Sequence, residues 1–138
     1  MDLNLLKGTK EYLPGEQIIR ERILAVLRDA FERYGFSPLE TPIINTFELL
    51  ASKYAGGSEI LKETYQLTDQ GQRSLGLRYD LTVPCSRIIG YFCGLHNELP
   101  LPVKRYEIGK VFRDGPVRSG RVREVTQCDV DVIGVADV

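Results

Sequence analysis

A chain of 138 residues, 43% hydrophobic and 27% charged, can bury the core of one small soluble domain. Its formal net charge of −1 gives no global attraction to nucleic acid, so any RNA contact must come from a local basic patch. Cys85, Cys93 and Cys128 form no CxxC, and His96 is the single histidine, which argues against a zinc site or disulfide framework and fits a reducing cytosol.

The start MDLNLLKGTK has no apolar stretch of the kind a secretory signal needs. No apolar run nears the roughly 18 residues of a membrane span, so the expectation is a cytoplasmic protein without membrane contact. Residues 1–15 read as an extended arm punctuated by Gly8, Pro14 and Gly15. From Glu16 to Tyr34, apolar residues at Ile19, Ile23, Val26, Leu27, Ala30, Phe31 and Tyr34 recur every three or four positions. That is one face of an amphipathic helix, with Gly35 placed as its C-terminal cap.

Leu39–Ile44 reads as a short strand, and Pro42 inside it restricts that strand to an edge or an interface. A short helix over Thr46–Ser52 follows, then a loop at Ala55–Ser58. Tyr65–Thr68 and Ser74–Arg78 form a hairpin about the turn Asp69-Gln70-Gly71. Thr82–Phe92 reads as a helix with Thr82 as its cap and Pro84 in its first turn. Val103–Phe112, the loop Arg113–Arg121 and the alternating run Val122–Val135 make a second, longer antiparallel hairpin. The fold expected is a single α+β domain over 1–138 with a mostly antiparallel sheet. An apolar strand lies at the end of the sequence with nothing after it to cover it, so the domain is expected to continue.

Two clusters carry chemistry. Arg105, Arg113, Arg118, Arg121 and Arg123 crowd into 19 residues, with Lys104 and Lys110 beside them. Guanidinium forks match phosphate oxygens, and Gly115 and Gly120 let a ligand approach the backbone. A solvated basic loop fits this spacing equally well. On the outgoing strand, Gln127, Asp129 and Asp131 share one face by the period of two, and Cys128, Val130 and Val132 are expected to enter the core on the other. Asp80, at a strand-to-helix junction, adds a carboxylate. Carboxylates facing arginines would suit a ligand carrying an ammonium and a phosphate. The cysteines read as core residues, and His96 as a surface residue.

Four segments resemble, in order, those of histidyl-tRNA synthetases. Lys7–Pro14 resembles the family's N-terminal signature, and the helix with Gly35–Pro42 resembles class II motif 1. Leu77–Pro84 resembles the histidine-binding segment, and Phe112–Glu124 continuing through Gln127–Asp131 resembles motif 2. The resemblance implies the N-terminal part of the class II antiparallel-sheet catalytic fold, with a long motif 1 helix and a motif 2 hairpin. It implies histidine activation by ATP, with Mg²⁺ expected, and acyl transfer to tRNA(His). Arg113 would be catalytic, holding the ATP α-phosphate. Arg121, Arg123 and Asp114 would lie at the ATP and tRNA end. Asp80 and Thr82, with Gln127 beside them, would hold the α-amino group of histidine, and Asp131 would read the imidazole N–H. No bound metal or tightly held cofactor is implied. The motif 1 strand with Pro42 would form a homodimer interface.

Two departures stand out. The family's motif 2 carries Glu two positions after its arginine, where this chain has Gly115 with Asp114 adjacent. Motif 3 and the anticodon-binding domain are absent, so the chain alone is expected not to catalyse. Other readings are a histidine-sensing regulatory paralogue of histidine biosynthesis and a synthetase-like tRNA-sensing domain. Retention of Arg113 and Arg121 favours the enzyme.

Overall fold

The computed structural model describes residues 3–52 and 59–136. The expected loop at Ala55–Ser58 lies outside the described residues. The first helix, α1 (Pro14–Arg33), begins two residues before the apolar period does. Proline is suited to a first helical turn, where its missing N–H goes unused. Gly35 ends the helix in a left-handed conformation, at φ 77°.

Two three-stranded sheets follow. In the first, β1 (Ser37–Pro38) runs parallel to β5 (Val103–Phe112), which pairs antiparallel with β6 (Glu124–Ile133) over ten matched positions. In the second, β4 (Ser74–Leu77) is flanked by β2 (Ile44–Thr46) and β3 (Gln66–Thr68), both antiparallel. Short helices α2 (Phe47–Ser52), α3 (Glu59–Lys62) and α4 (Thr82–Ile88) connect these strands, and α4 passes into a π-helical stretch, Ile89–Leu95.

The first sheet separates two environments. On one face lies α1: Arg20 donates to Thr126 Oγ1 at 3.0 Å, Phe31 packs 5.2 Å from the Tyr106 ring, and Tyr106 donates to Glu32. On the other face lie α4 and the segment leading into it. Leu81, Val83, Cys85 and Ile88 are buried there, with Val111 beneath.

Three expectations need correction. Pro42 is not on a strand: β1 stops at Pro38 and β2 starts at Ile44. Thr41 finds its partners in side chains instead, because its N–H and hydroxyl both donate to Glu107 Oε1 and its carbonyl accepts from Arg78. A backbone satisfied in this way has no need of a ladder. Thr82 does not cap α4 through its side chain; Asp80 Oδ1 accepts the Val83 N–H at 3.1 Å. Cys128, Val130 and Val132 are exposed rather than buried, and the polar alternates Gln127, Asp129 and Asp131 occupy the half-buried side. Cys85 is buried as expected, and His96 is exposed against Tyr91.

Candidate functional site

Segment 78–82 runs along the β5–β6 hairpin and joins two patches of chemistry. At its upstream end, Arg78 is 3% exposed and its carbonyl accepts the Phe112 N–H at 3.0 Å. Its guanidinium donates to the Lys110 carbonyl, to Thr41 and to Glu107 Oε1. Gly109 leaves the room this requires, since a Cβ there would collide with Arg78 Nη2. Buried charge survives in a protein interior when it is paired and hydrogen-bonded in this way.

The loop patch begins one residue after β5. The Arg113 guanidinium lies 4.7 Å from the centre of the Tyr79 ring, stacked as a cation over an aromatic face, and its Nε is buried without a partner. Arg121 is paired with both oxygens of Glu63, and the Tyr79 hydroxyl donates to the same carboxylate at 3.2 Å. Arg123 donates to the Tyr65 hydroxyl at 2.6 Å and pairs with Asp114. The Asp114 N–H donates to the Glu63 carbonyl at 2.6 Å, and the Arg123 N–H donates to the Gly8 carbonyl at 2.7 Å. The N-terminal arm and residue 63 thus hold the loop from two sides. Burial pushes the Tyr79 hydroxyl above its ordinary pKa, although the neighbouring Arg113 charge opposes the shift.

The second patch is a cavity of about 320 Å³ lined by Thr82, Cys85, Ser86, Ile89, Arg105, Asp131 and Ile133. Thr82 and Cys85 reach it from α4, and Asp131 reaches it from β6 with Arg105 paired to it from β5. Gln127 Nε2 donates to both oxygens of Asp129, at 2.9 and 3.1 Å, while Gln127 Oε1 is buried without a partner. Burial also raises the Cys85 thiol, which keeps it uncharged.

The sequence-predicted residues therefore fall into two groups. Arg113, Asp114, Arg121 and Arg123 gather at the loop, and Thr82 and Asp131 line the cavity. Asp80 turns to the helix start, and Gln127 engages its strand neighbour. Pro42 is exposed in the β1–β2 connection, away from both.

Arg105 does not belong with the loop arginines. It sits seven residues down β5 from Phe112, about 23 Å along an extended strand, and is 3% exposed. Composition missed Glu63, Tyr79 and Glu107 as well. A usable signal was present for one pair: Arg105 and Glu107, opposite in charge and two apart on one strand, share a face.

The sequence model of the histidyl-tRNA synthetase family matches residues 8–138. Histidine--tRNA ligase 1 of Bacillus cereus is 56% identical over the whole chain, and the chain spans 32% of that relative's length. The crystal structure of histidyl-tRNA synthetase from Nostoc sp. PCC 7120 superposes with a TM-score of 0.81 at 31% identity, covering 99% of this chain and 30% of that one. An ATP phosphoribosyltransferase regulatory subunit/histidyl-tRNA synthetase from Bacillus halodurans C superposes with a TM-score of 0.80 at 20% identity, over 98% of this chain and 33% of that one, a likeness of fold alone. The family match, the near-complete coverage of this chain and the α+β architecture agree: the chain belongs to the histidyl-tRNA synthetase family.

Proposed function

We propose that this chain supplies the histidine pocket and part of the ATP clamp of a class II histidine--tRNA ligase. The observation that carries the reading is the path of segment 78–82. Tyr79 lies under Arg113, and Thr82, three residues on, lines the cavity with Asp131. One rigid strip thereby connects a phosphate-type site to a pocket holding hydroxyls and a carboxylate.

In this reading the histidine carboxylate attacks the ATP α-phosphorus, and the bond to the pyrophosphate oxygen breaks as the new one forms. Arg113 neutralises the charge on the α-phosphoryl oxygens, and it is already oriented by the Tyr79 ring. Thr82, with Asp80 and Gln127, receives the ammonium, and Asp131 accepts the imidazole N–H. A side chain lacking that N–H leaves the acceptor unpaired and is rejected. Arg121 and Arg123 face the ATP and tRNA end, where phosphate oxygens must displace Glu63 and Asp114 to reach them. Mg²⁺ is expected with ATP. Among the described residues no group of three or more His, Cys, Asp or Glu side chains is placed to hold a metal ion.

The reading extends to acyl transfer to tRNA(His), to a homodimer through α1 and the Pro42 segment, and to the cytoplasm. The exposed apolar residues Ile18, Ile19, Ile23 and Val26 on α1 support such a partner face. No helix among the described residues is long and apolar enough to cross a membrane. The test is histidine-dependent ATP–pyrophosphate exchange by the Bacillus cereus relative with residues 1–138 of this chain in place of its own matching segment. Exchange that Arg113→Ala abolishes supports the reading. A folded chimera that binds ATP and histidine yet shows no exchange counts against it.

A further inference from the structure

Arg105 and Asp131 stand directly opposite each other on β5 and β6, and Arg105 Nη2 pairs with Asp131 Oδ2. The arginine is 3% exposed, while the Asp131 side chain keeps 44% exposure beside the cavity both residues line. Nε and Nη1 of Arg105 have no hydrogen-bond partner. Behind it, Glu107 is already engaged through Oε1 by Arg78 Nη1 at 2.9 Å, and its Oε2 lies 3.9 Å from Arg105 Nη1. Arg105 is thus a buried cation whose close partner among the described residues is the carboxylate in the cavity.

The other groups around Asp131 leave its pairing with Arg105 in place. On its own strand, Asp129 is two residues away and takes both hydrogen bonds from Gln127 Nε2. From α4 come Cys85, kept protonated by burial, and the uncharged hydroxyls of Thr82 and Ser86. Asp80, at the start of α4, has its Oδ1 on the Val83 N–H.

We propose that Arg105 is a positioning residue that fixes which protonation state of the ligand the pocket accepts. It offsets the charge of Asp131, so the carboxylate lining the cavity is a hydrogen-bond acceptor already paired with a cation. Such a site takes the neutral imidazole through its single ring N–H and disfavours imidazolium, and equally the ammonium and guanidinium side chains of other basic amino acids. An unpaired carboxylate in the same place would prefer the cations. This inference rests on reading the cavity as a histidine pocket.

The test is L-histidine binding to the 138-residue chain at pH 5.5 and 7.5, followed by calorimetry or ligand-observed NMR. Imidazole titrates near about 6.5, so selection of the neutral ring weakens binding about tenfold on going to pH 5.5. Arg105→Gln is expected to remove or reverse that loss, and Arg105→Lys, which restores the charge, to bring it back. Should Arg105→Gln fail to fold by circular dichroism, Asp131→Asn is read instead. It should bind histidine more weakly at both pH values and keep the full loss of about tenfold, because Arg105 then repels imidazolium unopposed. Tighter binding by the unaltered chain at pH 5.5, a tenfold loss that persists in folded Arg105→Gln, or an Asp131→Asn chain that loses the pH dependence overturns the inference while leaving the pocket reading in place. No histidine binding by the unaltered chain at either pH overturns both.

Discussion

The carboxylate of Glu63 occupies the space in which a side chain at Gly115 would begin. A Cβ built on Gly115 would stand 2.7 Å from the Glu63 carboxyl carbon. Gly115 is where motif 2 relatives are expected to carry glutamate, so the acidic group at this point is contributed by a residue 52 positions earlier in the chain. A side chain at 115 would meet the Glu63 carboxylate where it now stands, so one of the two would have to shift.

Gly115→Ala should therefore act through Glu63. The methyl group displaces a carboxylate pinned by Arg121 and Tyr79, at a cost of about 1–2 kcal/mol. Glu63→Ala should remove most of that cost, so the double variant falls short of the sum of the singles. Urea unfolding of the four chains checks this. Strict additivity would show that the two positions do not communicate.

Glu107 should be the most sensitive charged residue in the fold. It is 1% exposed and accepts from Thr41 and Arg78 together. Glu107→Ala strands the Arg78 charge and the Thr41 N–H and is expected to destabilise by about 3–5 kcal/mol. The expected signature is a lower urea midpoint at unchanged slope. A loss below about 1 kcal/mol would mean that water replaces the carboxylate.

Acid should loosen the β3–β4 hairpin before the rest. The Asp69 carboxyl is held below its ordinary pKa first by the Arg73 N–H at 2.9 Å and then by the Arg73 guanidinium at 2.6 Å. A carboxylate depressed in the folded state contributes stability above its unfolded pKa, about 3.9, and loses it as pH falls through the lower folded value. Amide exchange in residues 66–77 should rise below about pH 4, and in Asp69→Asn it should be faster at neutral pH with less further change on acidification.

Thiol labelling should distinguish the two faces of the long hairpin. Burial raises both Cys85 and Cys128, yet Cys128 is exposed and Cys85 is buried on α4. A maleimide should label Cys128 well before Cys85, as peptide mass spectrometry can read. Cys85 labelled first would place the cavity wall in a different position.

Local pattern and long-range contact divide what could be read from the residues. The period of three and four identifies α1, and Gly35 its end, because both depend on neighbours in sequence. Alternation shows that Gln127, Asp129 and Asp131 share a face, but alternation is silent about which face turns inward. Here α4 and Arg105 enclose the polar side, so the expectation for Cys128 is inverted. The strand expected through Pro42 dissolves because Thr41 bonds to Glu107, 66 positions away. Arg105 is placed wrongly for a related reason: proximity in sequence to Arg113 becomes separation along a ten-residue strand. The expectations for the cavity and loop residues came through motif resemblance, whereas Glu63, Tyr79 and Glu107, which brace them, enter through pairings that no local window contains.

The matched pairing of β5 with β6 makes this site unusually intolerant of one kind of change. A single residue inserted between Glu124 and Gln127 would turn Cys128, Val130 and Val132 toward α4 and send Gln127, Asp129 and Asp131 to the opposite side. An insertion of two would preserve the facing but carry Asp131 nearly 7 Å from Arg105. Along this strand, a change of length is far more disruptive than a substitution, and the lining of the cavity can be varied only by replacing side chains at a constant residue count.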